Sequence, residues 1–147
     1  MFKINKLTDY ATVILIEMAA TNSVRSAQSI SISTGIPLPT IVKLMKVLVK
    51  AGFAAAQRGA LGGYRLTRSE DRISIADIIE ALEGPIALTA CVSASEKQCS
   101  FESLCPAVGK WNGINHVVTD ALRKVPLSDM IQKSAEVHNN LDMQAKS

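Results

Sequence analysis

Between residues 7 and 52 the apolar positions recur at helical spacing in two runs, with a short capped segment between them. Leu7, Tyr10, Ile14 and Met18 line up on one face and predict a first helix over residues 8–20. Ser26 is an N-cap for a short second helix over residues 27–33, and Gly35 is its left-handed stop. A third helix over residues 39–51 has Pro39 near its first position and Gly52 just past its end. Its core face carries Ile41, Leu44, Met45 and Leu48, at i, i+3, i+4 and i+7. Two helices joined by a short glycine-containing turn form a helix-turn-helix unit. Two short strands follow, at residues 53–57 and 64–67. The run Arg58-Gly59-Ala60-Leu61-Gly62-Gly63 between them supplies the glycines of a tight hairpin tip. Ser74-Ile75-Ala76-Asp77 reads as a capping box that opens a helix to Leu82, and Gly84-Pro85 ends it.

A longer helix is expected over residues 108–124, with Trp111, Ile114, Val118, Ala121 and Leu122 on one side. The core of the first helices and the hairpin reads as complete before this point. The late stripe is therefore expected to be a dimer seam. The expected fold is mainly α with a small β-hairpin wing: a winged helix-turn-helix, a cysteine loop and a long dimerisation helix. The expected organisation is a DNA-binding domain at 1–84, the loop at 85–107, the dimerisation region at 108–136 and a disordered tail at 137–147.

Charge gives this fold a ligand. The net charge of +3 divides into +7 over residues 1–68 and −4 over residues 69–147. A basic front half suits a polyanion. With aromatic residues at only 4%, recognition of single strands by base stacking is disfavoured. Lys43, Lys46 and Lys50 share a second face of the third helix. Alone, such a stripe is an ordinary solvated face; with the turn, the hairpin and the charge asymmetry it points to double-stranded DNA. Thr40 and Lys43, just after Pro39, are placed for major-groove readout, and Lys46 and Lys50 for phosphates. Arg58 and Gly59 at the hairpin tip are placed for a minor groove. A dimer suits a pseudo-palindromic operator. No Ser/His/Asp or Cys/His constellation suggests an enzyme. Asp9 and Glu17 interrupt the first apolar run, so no signal peptide is read there, and no apolar run reaches transmembrane length. The protein is expected to be cytoplasmic, with no membrane partner.

All three cysteines, Cys91, Cys99 and Cys105, lie within fifteen residues as C-x7-C-x5-C. A free cysteine is often only a small buried hydrophobe. Three together, with Glu96, Lys97 and Glu102 among them, are poor candidates for that role. An odd number argues against a closed disulfide framework, and reduced clustered thiols favour metal binding or redox sensing. Structural zinc favours closer pairs, although a structural zinc remains an alternative. Wide spacing and three thiolates fit an iron–sulfur cluster, 2Fe-2S or 4Fe-4S, with a non-cysteine fourth ligand.

These residues together resemble the cysteine-bearing IscR/NsrR family of bacterial winged-helix regulators, over roughly residues 1–131. The matching stretches are Lys6-Leu7-Thr8-Asp9-Tyr10-Ala11, Arg58-Gly59 followed by Gly62-Gly63-Tyr64-Arg65-Leu66, the three-cysteine loop, Trp111 and Pro126-Leu127-Ser128-Asp129. The run from Ala76 to Pro85 and the wide first cysteine gap are similar to the branch that regulates the Suf iron–sulfur assembly system. The resemblance implies a homodimer with crossed long helices and one cluster per subunit. It also implies that the cluster state changes DNA affinity at promoters of cluster-assembly or stress genes, and the expected role is a repressor of Suf-type cluster-assembly genes. A nitric-oxide or redox sensor of the same fold is the alternative. An electron-transfer iron–sulfur protein is another, but would not need the basic helix-turn-helix. Where one branch has a histidine three residues after the third cysteine, this chain has Val108; His116 and His138 do not match that position. In another branch an aspartate at the start of the partner's first helix completes the site, and Asp9 occupies that place. As a first-turn acid, Asp9 also suits the helix dipole.

Overall fold

The computed structural model describes residues 3–95 and 98–131. Helix α1 (Lys6–Thr21) starts two residues before its expected position, because the Asn5 side chain caps it, accepting the Leu7 N–H. Its buried face is wider than the predicted stripe: Thr8, Ala11 and Leu15 are buried with Ile14 and Met18, while Leu7 and Tyr10 are only partly buried. The reason is position, since α1 packs against the next two helices, the hairpin and a later helix at once. Helix α2 (Ala27–Thr34) has the expected Ser26 cap and ends at Gly35, with φ of 73°. Helix α3 (Leu38–Lys50) buries Ile41, Leu44, Met45 and Leu48 as its spacing predicts.

Strands β1 (Ala54–Gln57) and β2 (Gly63–Leu66) pair antiparallel, with Ala54 opposite Leu66 and Gln57 opposite Gly63. Strand β1 starts one residue later than expected, and β2 keeps its expected length but lies one residue earlier. The Phe53 N–H donates to the Leu48 carbonyl and closes α3, so only its carbonyl still meets the opposite strand, accepting the Thr67 N–H, while its side chain is buried in the core. The link between α1 and α2 adds a third line to this sheet. Arg25 and Tyr64 exchange two backbone hydrogen bonds, each 2.8 Å long. The approach is so close that a Cβ on Gly63 would stand 2.3 Å from the Arg25 carbonyl oxygen.

The capping box of Ser74 and Asp77 forms as expected and starts helix α4 (Ile75–Glu83). A long loop containing a short 3-10 turn (Glu102–Leu104) leads to helix α5 (Lys110–Arg123). Helix α5 starts later than expected, because Val108 and Lys110 donate into turns on Cys105 and Ala107 and Gly109 adopts φ of 70°. The expectation that the core is complete before this helix is corrected. After α5 the chain returns: the Ile75 N–H bonds Val125, and the Leu127 N–H bonds Ile73 at 2.7 Å. Leu127 is 0% exposed, inside the same core as α1 and α3.

Part of the α5 stripe faces its own chain. Leu122 packs on a small cluster of Ala76, Ile79 and Ile86, whereas Trp111 and Ile114 of the stripe are exposed, as is Val117, which lies outside it. Among the described residues no single helix is long and apolar enough to cross a membrane. The expected tail at 137–147, and residues 132–136 before it, lie outside the described residues.

Candidate nucleic-acid interface and thiolate loop

The chain turns through 118° between α2 and α3, within the range of a helix-turn-helix. The turn is held from inside. Ser31 donates its hydroxyl to the Ile36 carbonyl, the Ile36 N–H meets Thr34 Oγ1, and the Ile36 side chain is buried. With the four apolar residues of α3 facing inward, Lys43, Lys46 and Lys50 are exposed, as is Pro39, and Thr40 is half-buried. None of the three lysines is paired with an acid among the described residues. Their charge is therefore available to a polyanion.

Arg58 and Gly59 are exposed at the wing tip, where Gly59 has φ of 112°. Gly62 is required there, since a Cβ would stand 2.4 Å from the Gln57 carbonyl oxygen. Not all the basic charge of the front half faces outward. Arg25 is spent internally on Glu17 and on α2.

The thiolate loop is fixed to α5 at its start. Asn115, only 7% exposed, uses both ends of its amide: Nδ2 donates to the Ile86 carbonyl at 2.9 Å, and Oδ1 accepts the Leu88 N–H at 2.8 Å. One turn earlier, Asn112 Oδ1 accepts the Ser93 N–H at 2.9 Å and the Ser93 hydroxyl at 3.3 Å. Cys91 lies between these anchors, with its sulfur 3.2 Å from Thr89 Oγ1. Cys99 and Cys105 bracket the 3-10 turn, joined through Glu102, whose N–H bonds the Cys99 carbonyl and whose carbonyl accepts the Cys105 N–H. The far end of α5 is held as well: Arg123 bonds Glu80 at 2.9 Å and approaches Asp77 at 3.8 Å. Sequence reasoning missed Asn112 and Asn115. Their only signal was polar residues three apart on a helix.

All three thiols are free and half-buried. As soft donors on one segment they suit a thiolate-held cluster. Their placement does not yet form one: among the described residues no three His, Cys, Asp or Glu side chains stand together to hold a metal. Asp9 is exposed on the first turn of α1, in a groove of about 500 Å³ shared with Ile4, Ile75, Ile79 and Met130 and with none of the cysteines. Val108 is exposed, and His116 pairs with Asp120 at 3.2 Å on the outer side of α5. His138 lies outside the described residues.

A family model described as Rrf2, iron-dependent transcriptional regulator, matches residues 4–133. The chain is 29% identical to the regulator NsrR of Bacillus licheniformis, over 82% of this chain and 80% of that protein. Among solved structures, CymR, the global cysteine regulator of B. subtilis, superposes with a TM-score of 0.69 at 30% identity, covering 90% of this chain and 98% of CymR. IscR of T. potens superposes with a TM-score of 0.70 at 25% identity, covering 92% and 90%. A mainly helical chain with a two-stranded wing, a basic helix-turn-helix and these relatives belongs to the Rrf2 family of DNA-binding transcriptional regulators and is not an enzyme.

Proposed function

We propose that this protein is a dimeric, cytoplasmic repressor that senses iron–sulfur status and controls Suf-type cluster-assembly genes from a pseudo-palindromic operator. Cys91, Cys99 and Cys105 would hold the cluster, with Asp9 of a second subunit as the oxygen donor. A cluster bound there supplies sensitivity to iron, oxygen and redox state. The observation that carries this reading is the connection between thiols and DNA reader. Asn112 and Asn115 hold the start of the thiolate loop on α5. The chain leaving α5 then enters, at Leu127, the core that seats α3. Rearranging the loop therefore loads α5, and α5 loads the base of the recognition helix. A coupling of about 1–3 kcal/mol along this path would change operator affinity some five- to 150-fold. Pro39, Thr40, Lys43, Lys46, Lys50, Arg58 and Gly59 form the DNA-facing set, and the exposed Trp111, Ile114 and Val117 supply the dimer seam.

Anaerobic purification tests the proposal. The protein should be coloured and carry iron and acid-labile sulfide. Replacing any one of the three cysteines with alanine should remove most of the colour and leave a folded dimer. Genome-wide binding of loaded and metal-free protein should recover cluster-assembly promoters. A colourless protein that keeps tightly bound zinc after anaerobic reconstitution refutes it. A second reading, a thiol-redox regulator without a cluster, is favoured by the separation of the three thiols among the described residues. The likeness to the cysteine regulator CymR supports it too. Its signature is an iron-free protein whose DNA affinity follows thiol oxidation.

A further inference from the structure

We infer that Arg25 is a positioning residue for DNA recognition, a brace that fixes the angle of the wing to the helix-turn-helix. Its side chain is 16% exposed. The guanidinium meets Glu17 of α1 at 3.1 Å, and Ser29 and Ser33 of α2 at 2.7 and 3.2 Å. Its backbone forms the two-way pair with Tyr64 of β2. One residue thus binds both helices that flank it and the strand that carries the wing. The backbone pair alone would act as a hinge, since a single residue pair leaves rotation about its own axis open. The planar guanidinium fork, with donors fixed in direction, removes that rotation by tying the same residue to α2. Helix α2 in turn packs on α3. The seam has no slack on the strand side, because Gly63 approaches the Arg25 carbonyl too closely to admit a Cβ. Arg58 at the wing tip and Lys43 on α3 then meet one duplex with fixed relative placement. The inference rests on the reading of Arg58 as a groove contact.

A double-mutant cycle on the full chain tests it, because Arg25 and Arg58 act together only if the brace sets the wing. The probes are a duplex recovered by in vitro selection with the wild-type protein and a scrambled duplex of the same length. In the wild-type background Arg58→Ala should weaken binding to the selected duplex about tenfold. In an Arg25→Met background the same change should cost less than about threefold. Arg25→Met should leave affinity for the scrambled duplex within about twofold, since the α3 lysines still meet phosphates. A merely structural role would lower the melting temperature and leave the two substitutions additive. Equal losses in both backgrounds overturn the brace and leave the wing contact standing. No loss for Arg58→Ala in the wild type removes the wing contact, and the brace with it. If Arg25→Met does not fold, Arg25→Lys replaces it in the cycle. Lysine can keep the Glu17 pair but not the fork to Ser29 and Ser33, so coupling or additivity again decides.

Discussion

Asn115→Leu isolates the link between the thiolate loop and α5. Leucine keeps the branched heavy-atom skeleton of asparagine and is a better helix former, but it removes both ends of the amide. The Ile86 carbonyl and the Leu88 N–H each lose a partner, at 2.9 and 2.8 Å. A buried polar group left unpaired costs about 1–3 kcal/mol. The loop edge can admit water, so a total near 2 kcal/mol is the reasonable expectation for two groups. That cost falls on local opening of the loop rather than on the core of α1 and α3, because both amide bonds go to the loop backbone. At 1.36 kcal/mol per factor of ten, hydrogen exchange at the Leu88 amide should rise about 30-fold. Alkylation of Cys91 in reduced, metal-free protein should quicken with it, while Cys99 and Cys105, outside the anchored stretch, change little. The measurement is amide exchange with peptide-level mass spectrometry, alongside timed alkylation of each thiol. An unchanged Leu88 amide would show that the clamp does not hold the loop. Faster exchange spread evenly over α1 to α3 would show that Asn115 serves global stability instead.

Leu127→Ala should destabilise the whole fold by about 2–5 kcal/mol, because it empties a fully buried site in the main core; a melting temperature within a degree of wild type would place Leu127 outside that core. Lys50→Ala should weaken binding to all duplexes evenly and lower the slope of log affinity against log salt by about one, whereas Arg58→Ala should cost about 1–3 kcal/mol on the specific site only. The Asp9 ligand is tested in a heterodimer of Asp9→Ala and Cys99→Ala subunits: one site then joins intact cysteines to an intact Asp9 across the dimer and should regain a stable cluster that neither homodimer holds. If the Asp9→Ala homodimer keeps its cluster as firmly as wild type, Asp9 is a helix-start acid alone.

Local chemistry made much of this molecule legible in advance. Ser26, Ser74 and Gly35 announce helix ends because capping acts over one turn of chain. Ile41, Leu44, Met45 and Leu48 announce a buried face because helical period places them on one side whatever lies opposite. The glycines of the wing mark a hairpin, and Cys91, Cys99 and Cys105 share a loop by covalent proximity.

The identity of each face's partner belongs to the tertiary structure. Leu61 and Leu127 are the same residue type, yet one is 89% exposed at the wing tip and the other fully buried. The difference arises because the chain after α5 returns to pair with Ile73. Arg25 counts with the basic charge of the front half in sequence, and only the meeting of α1, α2 and β2 turns it inward. Asn112 and Asn115 carry no signal in sequence beyond polar residues three apart on a helix, and their role comes from the loop folding back on them, in contacts that span 19 to 29 residues. Periodicity and capping are local and are written in short stretches of sequence. Burial of a single polar amide or a single leucine is decided by what the distant chain brings against it.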